Sequence, residues 1–329
     1  MITLVVPIYN NSGNIPSLLA ALAQLHAELG PTFRAVFVVD GSPDDSYLQL
    51  ATRLPQQVFA SKLLLLSRNY GSFSAIRAGL ECAEGDAFAV MAADLQEPPE
   101  LIAQFARLLA DDACDVAVGV RLKRADPLLS RLLSNAFWGL YRRLVMPQVP
   151  AGGVDIFACN RQVRDHLVRL RENNSSLIGL LFWVGFRRRE VPYERRARTI
   201  GVSAWTMQKR IRYLMDSVFG FTDLPVRLLI RIGMLGLLFS IIAASTVLVA
   251  KLVGAVPVPG YAATILMVIF FGALNCLGLG IVGSYVWRTF ENTKARPNFL
   301  VASAETFHAA GVQPQLAAAE RSVAPSAHS

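Results

Sequence analysis

The first 120 residues alternate apolar, strand-like runs with segments that have the pattern of helices. The strand-like runs are 2–7, 35–39, 62–66, 87–93 and 115–120, and helices are predicted over 15–29, 44–54 and 75–83 and from residue 100 onward. Runs that are apolar throughout are typical of strands buried on both faces of a mostly parallel sheet. The pattern therefore predicts an α/β fold with helices on both faces of the sheet.

Polar residues follow all five of these strands. They are Tyr9-Asn10-Asn11, Asp40-Gly41-Ser42, Arg68-Asn69, Asp94-Leu95-Gln96 and Gly119-Val120-Arg121. Ligands of mostly parallel sheets bind outside the carboxyl ends of the strands. Five polar groups in register favour one site over a set of unrelated turns.

The segment from Asp94 to Glu100 carries the clearest sign of chemistry. Asp94 and Gln96 follow an apolar strand, and at positions i and i+2 of an extended backbone their oxygens would lie on one side. Two such ligands suit a hard divalent cation that takes its other ligands from phosphates and water. An incidental acid at a strand–turn–helix corner is the alternative.

Asp155 is the second candidate acid. It lies in Val154-Asp155-Ile156-Phe157, which is predicted to be a short strand after the turn-rich loop 147–153. A buried aspartate is rare unless it is paired. Asp155 is therefore either a satisfied structural acid or a site residue.

Two long stretches carry no charge. Residues 232–250 are 19 uncharged residues and 252–287 are 36, the second interrupted by Pro257, Pro259 and Gly260. About 20 apolar residues span a bilayer, so we expect a two-helix transmembrane hairpin, with a buried soluble hairpin as the alternative. Basic residues flank the hairpin on its terminal sides but are absent from the loop 254–261. This asymmetry predicts that both termini are cytoplasmic.

The net charge of +8 is concentrated before the hairpin. Residues 187–212 hold nine Arg/Lys against two glutamates, which favours contact with anionic lipid over the competing interpretation, nucleic-acid binding. Residues 173–226 are predicted to be interfacial, with an amphipathic helix over 205–221 that either lies in the headgroup plane or packs on the catalytic domain. The four cysteines are scattered, without a CxxC pair, as expected in a reducing compartment.

Six segments together resemble the family 2 glycosyltransferases, specifically the polyprenyl-phosphate branch with dolichol-phosphate mannose synthases and bacterial undecaprenyl-phosphate glucosyltransferases. They are VVPIYNNSGNI (5–15), VVDGSPDDS (38–46), SRNYGSFSAIRAGL (67–80), ADLQEPPEL (93–101), GVDIFACNR (153–161) and SAWTMQKRIRYLMDS (203–217). The resemblance covers about residues 2–290. It implies a GT-A fold, which is a Rossmann-like sheet, a nucleoside-diphosphate sugar as donor and polyprenyl phosphate as acceptor.

The resemblance also implies residue roles. Pro7, Tyr9, Asp40 and Asn69 would bind the donor nucleotide, and Asp94 and Gln96 would bind Mg²⁺ or Mn²⁺ on its diphosphate. Arg121, Ser130, Arg131, Ser203, Trp205 and Lys209 would bind the acceptor phosphate. Asp155 corresponds to an acid with a catalytic or acceptor-positioning role, so Asp155 and Asp94 are the predicted catalytic residues.

The sequence departs from the family pattern at several of these positions. Ala92 replaces the first acid of Asp-x-Asp-x-Gln, so metal binding would rest on Asp94, Gln96, phosphates and water. Ala158 replaces an arginine near Asp155, and Asp126 stands where a basic residue often precedes Ser130. Asn11-Ser12 stands where paired acids are common.

The expected organisation has five parts. They are a catalytic domain (1–165), interfacial and acceptor-binding helices (166–226), two transmembrane helices (227–253 and 262–288) and a largely disordered cytoplasmic tail (289–329).

The expected function is inverting transfer of one sugar to undecaprenyl or dolichyl phosphate, at the cytoplasmic face of what we expect to be a bacterial inner membrane, for surface glycan or lipopolysaccharide modification. A degenerate membrane scaffold, for which Ala92 argues, and a processive polysaccharide synthase are the alternatives. Small residues at 233–236 and 278–283 would allow homo-oligomers to form through the spans.

Overall fold

A computed structural model describes residues 1–122, 137–150, 153–170, 172, 176–196, 207–253 and 260–310. Its strands are β1 (Ile2–Ile8), β2 (Phe33–Val39), β3 (Ala60–Leu66), β4 (Ala87–Val90), β5 (Val116–Arg121), β6 (Phe157–Asn160), β7 (Arg188–Tyr193) and β8 (Val301–Phe307). Its helices are α1 (Ile15–Leu29), α2 (Ser46–Arg53), α3 (Ser72–Cys82), α4 (Glu100–Ala110), α5 (Arg161–Arg169), α6 (Leu177–Trp183), α7 (Met207–Phe221), α8 (Leu224–Leu252) and α9 (Tyr261–Thr293), and 137–144 is also helical.

The eight strands form one sheet in the order β7-β5-β6-β4-β1-β2-β3-β8. β1 pairs in parallel with β2 and β4, and β2 pairs in parallel with β3. Alternate residues of β1 enter two different hydrophobic clusters, with Leu4 and Val6 in one and Val5 in the other. Because successive strand residues point to opposite faces, the sheet is covered on both sides. The predicted α/β fold is confirmed.

Helix α1 illustrates how the sequence builds one of these layers. Leu18, Leu22 and Leu25 recur at helical spacing and are buried against the sheet. Pro16 lies in the first turn, where its missing N–H costs nothing, and Gly30 ends the helix with a φ of 73°. The turn at Gly30 returns the chain to the sheet in β2.

The sheet extends past the predicted domain boundary at residue 165. β6 lies antiparallel between β4 and β5, and β7 pairs in parallel with β5. The predicted strand at 154–157 was misplaced, because β6 pairs with β4 from Phe157 opposite Val90 to Asn160 opposite Ala87. Asp155 therefore lies in the loop before β6 and not within a strand.

The tail contains a strand that the prediction of a largely disordered segment missed. β8 pairs antiparallel with β3 and completes one edge of the sheet. Its side chains are mostly small and alternate between exposed and half-buried positions, so its hydrophobic pattern is weak. The backbone groups at the edge of β3, which would be unpaired without β8, hold the strand in the sheet, and the composition of β8 does not reveal this.

Helix α6, which we predicted to be interfacial, is buried. Leu177, Leu180 and Leu181 belong to the hydrophobic cluster on one face of the sheet. Ser176 caps the helix by accepting a hydrogen bond from the Gly179 amide, and its hydroxyl also donates to Tyr213 of α7. The described part of the 173–226 region is thus packed on the catalytic domain through α6 and one face of α7.

Helices α8 and α9 are the two longest elements. Gly236 approaches Phe271 and Gly278 approaches Leu229, so small residues of each helix contact the other helix. In the part of the chain that the structure describes, one segment, Phe270–Thr293 of α9, is long and apolar enough by composition to cross a membrane.

Candidate active site

Asp40 lies at the carboxyl end of β2 and organises the loop that follows β3. Its side-chain oxygens accept hydrogen bonds from the amides of Tyr70 (2.7 Å) and Gly71 (2.8 Å), and the residue is only 2% exposed. Burial raises the pKa of Asp40, while these amides and the Arg68 charge act to lower it. The structure therefore gives Asp40 a structural role beside the predicted contact with the nucleoside.

Gly41 allows the loops after β2 and β3 to approach each other closely. Its φ is +56°, and a Cβ added there would lie 2.3 Å from the carbonyl carbon of Arg68. Only glycine combines this backbone conformation with this spacing. The close approach fixes the position of Arg68 and of its neighbour Asn69, which we predicted to bind the donor.

Asp44 joins the loops after β1 and β2. It accepts hydrogen bonds from the Ser12 amide (3.0 Å), the Ser42 hydroxyl (2.6 Å) and the Ser46 amide (3.2 Å). Partial burial acts to raise its pKa, but these hydrogen bonds prevail and lower the pKa of Asp44 to about 2. The Ser42 hydroxyl also accepts from the Asn10 amide.

The predicted donor residues lie around this framework. Pro7 pairs with Val38 near the ends of β1 and β2, and Tyr9 is 39% exposed just beyond β1. Asn69 is exposed in the loop after β3, next to the Arg68 guanidinium, which stacks on the Tyr70 ring at 4.1 Å. The three loops thus form one polar surface at the carboxyl edge of the sheet.

The Asp94–Gln96 corner differs from the extended geometry that we expected. β4 ends at Val90, and Leu95 has a φ of +54°, an uncommon left-handed conformation for a leucine. The Gln96 amide donates to Oδ1 of Asp94 at 3.3 Å, which closes a tight turn. Backbone strain of this kind persists where the surrounding structure requires it, often at functional sites.

Arg121 and Asp155 form an ion pair at the same edge of the sheet. Nη2 of Arg121, at the end of β5, donates to Oδ2 of Asp155, and the Tyr193 hydroxyl donates to the same oxygen at 3.3 Å. The Arg121 side chain is 12% exposed and that of Asp155 is 31% exposed. The structure thus joins a predicted acceptor-binding residue to a predicted catalytic acid.

Glu97 and Arg195 form an ion pair in the site that the sequence did not predict. Nε of Arg195 lies 3.5 Å from Oε1 of Glu97, whose side chain is 1% exposed. Burial and the neighbouring Asp94 raise the pKa of Glu97, with Arg195 and Arg121 opposing the shift. The only local signal was the acid of Glu97 itself, within the segment 94–100, because its partner Arg195 lies 98 positions later in the chain.

Several predicted acceptor residues lie outside the described residues: Ser130, Arg131, Ser203 and Trp205. Lys209 lies in the first turn of α7. The basic segment 187–212 is engaged with the catalytic domain where the structure describes it. Arg187 pairs with Asp112 and Asp115, and Arg196 pairs with Glu100, so these arginines are not a uniform lipid-facing surface.

The ligands for a divalent cation are few. Within the described ranges, no group of three or more His, Cys, Asp or Glu residues is arranged to hold a metal ion. Asp94 and Gln96 offer one carboxylate and one amide, which fits a cation that takes most of its ligands from a diphosphate and water.

Comparison with known proteins agrees with the fold. Residues 3–169 match the family model described as glycosyl transferase family 2. The putative glycosyltransferase CsbB of Bacillus subtilis (strain 168) is 33% identical over 92% of both chains. The bactoprenol glucosyl transferase of Shigella phage SfX is 30% identical over 92% of this chain and 99% of that protein.

A solved structure shows the same fold at low identity. Glucosyl-3-phosphoglycerate synthase from Mycobacterium tuberculosis, in complex with Mn²⁺ and UDP-glucose, superposes with a TM-score of 0.51 at 17% identity, over 68% of this chain and 80% of that one. The fold and the relatives define a glycosyltransferase of the GT-A type. The chain belongs to glycosyl transferase family 2, as the six sequence segments indicated.

Proposed function

We propose that this glycosyltransferase moves one hexose from a nucleoside-diphosphate sugar to the phosphate of a polyprenyl phosphate, undecaprenyl or dolichyl. The observation that carries the proposal is that two clusters of polar residues lie at the same edge of the sheet. The loops held by Asp40 and Asp44 lie on one side, and the Arg121–Asp155 pair lies on the other. The relatives named bactoprenol glucosyl transferase support a polyprenyl acceptor and glucose as the first sugar to test.

On the donor side, we assign the nucleoside to the surface near Pro7, Tyr9, Asp40 and Asn69. Its diphosphate would lie toward Asp94 and Gln96, which would hold Mg²⁺ or Mn²⁺. The cation, when bound, supplies charge neutralisation for the leaving nucleoside diphosphate. The turn at Leu95 sets the relative position of the Asp94 carboxylate and the Gln96 side chain.

On the acceptor side, the nucleophile is a phosphate that is already an anion at neutral pH, so the reaction does not require a strong general base. The requirement is to hold two phosphate-bearing substrates together. Arginine binds phosphate through parallel hydrogen bonds, which suits Arg121 to this role. Asp155 would orient Arg121 and the acceptor, with Ser130, Arg131, Ser203, Trp205 and Lys209 as further contacts. Attack opposite the leaving group gives inversion at the anomeric carbon.

For the membrane, we propose that α8 and α9 form a transmembrane hairpin with both termini in the cytoplasm. The contacts of Gly236 with Phe271 and of Gly278 with Leu229 support a hairpin. The Arg288–Asp216 ion pair (2.7 Å) and the hydrogen bond from Tyr285 to Thr222 join the end of α9 to α7 and to the turn before α8. This arrangement would hold the catalytic domain close to a lipid acceptor in the inner membrane.

The two alternatives make different predictions. A processive polysaccharide synthase would carry a Gln-x-x-Arg-Trp motif, which the sequence does not contain. A degenerate scaffold would bind no donor. Thermal shift of the detergent-solubilised protein with Mg²⁺ or Mn²⁺ and a panel of nucleotide sugars separates the enzyme from the scaffold. We expect one donor to raise the melting temperature only when a cation is present, and no shift with any donor would favour the scaffold.

A further inference from the structure

Four buried polar atoms near the Arg121–Asp155 pair have no hydrogen-bond partner among the described residues. They are Oε1 and Oε2 of Glu97, Nε of Arg121 and Nε of Arg195. Buried polar atoms in folded proteins almost always have partners, so each exception calls for an explanation. The two unsatisfied guanidinium donors lie in one cluster, which indicates an anion-binding site, and the Glu97 carboxylate lies beside Arg195 in the same cluster.

The position of the cluster indicates the charge of that ligand. Glu97 interacts electrostatically with Asp94 on one side and with Arg195 and Arg121 on the other. Tyr193, which donates a hydrogen bond to Asp155, also interacts electrostatically with Glu97, Arg121 and Arg195. Both arginines therefore act on Glu97 and on Tyr193, in the same cluster as Asp94 and Asp155. Like charges in one cluster repel each other, and the carboxylate of Glu97 offsets the repulsion between the two guanidinium groups before an anion arrives.

The segment that carries Arg195 is fastened to the metal corner. The Arg196 amide donates to the carbonyl of Gln96 at 2.9 Å, and this backbone hydrogen bond holds the segment in place. Arg196 also pairs with Glu100 at 3.2 Å, an exposed ion pair that adds little. The preceding residue, Arg195, pairs with the buried Glu97, and 31% of the Arg195 side chain remains exposed. The outer pair is mostly exposed, at 54% and 64%, whereas the inner pair faces the buried cluster.

We propose that Arg195 is a second anion-binding arginine beside Arg121, that Glu97 is the residue that positions it, and that both arginines contact the phosphate of the polyprenyl phosphate. This inference rests on the proposed function. Glu97 itself touches no substrate and acts through Arg195. The donor diphosphate is the other phosphate available in the site, and we assign it to the Asp94 side.

The test is steady-state kinetics with undecaprenyl phosphate and the nucleotide sugar identified by thermal shift. We expect Arg195→Gln and Glu97→Gln each to raise the KM for undecaprenyl phosphate by about tenfold, the effect of losing one charge-assisted hydrogen bond. The dissociation constants for the donor and for Mn²⁺, measured by calorimetry, should stay within about twofold of the unmodified protein, as expected if the contact is with the acceptor alone. Glu97→Asp should restore part of the affinity because it keeps the charge.

The exposed pair provides the matched control. Arg196→Gln and Glu100→Gln change the same segment and the same kinds of side chain, and should leave both KM values within about twofold. In the double variant Glu97→Gln/Arg195→Gln, the effects should be far from additive, because Glu97 acts through Arg195. A merely structural role would instead lower the melting temperature and weaken donor and acceptor binding together.

Three results would overturn the inference. They are an unchanged acceptor KM in Glu97→Gln, additive effects in the double variant, or weaker Mn²⁺ or donor binding of the same size as the acceptor effect. The last would make Glu97 part of the donor or metal site. Absence of transfer by the unmodified protein would overturn the proposed function and this inference with it. If the unmodified protein transfers sugar but the variants give one of the three results above, this inference alone fails.

Discussion

At the scale of single residues, two carboxylates hold the loops of the candidate site in place, and one of them, Asp40, is also a predicted donor contact. Asp40 holds the loop after β3, and Asp44 joins the loops after β1 and β2. Both use charge-assisted hydrogen bonds to backbone amides, which are stronger than neutral ones. The shape of the donor surface therefore depends on the ionisation of acids that lie beneath it or at its edge.

Replacing Asp40 with asparagine should weaken both folding and donor binding. The amide side chain accepts only one of the two backbone N–H groups and turns an NH₂ toward the other, leaving a buried donor unsatisfied. We expect the free energy of unfolding to fall by about 2 kcal/mol, measured by chemical denaturation. Asp45→Asn, an exposed neighbour in the same segment, is the control and should change the free energy of unfolding by less than about 0.5 kcal/mol.

Asp44 should make stability depend on pH in the acid range. Its pKa is lowered from 3.8 to about 2 in the folded protein, so its contribution is complete above pH 3.8 and is lost as the pH falls through 2. Because the group is only partly buried, we expect a contribution of about 1 kcal/mol after solvent screening. The measurement is the difference in unfolding free energy between the unmodified protein and Asp44→Asn across this range. A difference that is constant from pH 5 to pH 2 would contradict the assignment.

At the scale of elements, β8 connects the end of the chain to the donor side of the sheet. The Ser67 amide donates to the carbonyl of Leu300 at 2.9 Å, immediately before the loop that Asp40 holds. Tyr47 of α2 also donates a hydrogen bond to Glu305 of β8. Only seven residues separate the end of α9 from β8, so the strand also ties the donor side to the long helices.

Truncation after residue 299 should destabilise the catalytic domain. The loss of β8 exposes the edge of β3 and removes a ladder of backbone hydrogen bonds, which we expect to cost about 3 kcal/mol and to promote aggregation. Truncation after residue 310 keeps β8 and serves as the control. Equal melting temperatures for the two truncated proteins would show that β8 contributes nothing to the sheet.

The elements also show what could be predicted from sequence. The boundaries of α1 matched because Pro16, Gly30 and the leucine spacing are all local signals. β8 and the correct start of β6 were missed because each is determined by a partner strand distant in sequence. Glu97 and Arg195 were missed for the same reason. Local chemistry identified the loops of the site, whereas the pairing of charges within the site required the fold.

At the scale of the whole molecule, two links among the described residues join the catalytic domain to the long helices. One is the contact of α7 with the end of α9 through Asp216 and Arg288, and the other is the short segment from α9 to β8. If α8 and α9 cross the membrane as a hairpin, both links lie on the cytoplasmic side, where they restrict how far the site can move from the lipid.

The topology can be tested with a membrane-impermeant thiol reagent on intact cells. We expect Ala255→Cys, in the predicted outer loop, to be labelled at least about tenfold above the background from the four native cysteines, which the unmodified chain measures. Ala309→Cys, beyond β8, should be labelled only after the cells are opened. Labelling of Ala309→Cys in intact cells would contradict a cytoplasmic carboxyl terminus.

The most direct test of the proposed activity is sugar transfer in membranes that contain this protein. Radiolabelled nucleotide sugar and undecaprenyl phosphate should give a labelled, solvent-extractable lipid whose formation requires Mg²⁺ or Mn²⁺. The reaction should fall by about 100-fold or more in Asp94→Ala, since loss of a metal ligand removes several kcal/mol of charge stabilisation. No labelled lipid with any nucleotide sugar, or full activity in Asp94→Ala, would contradict the account.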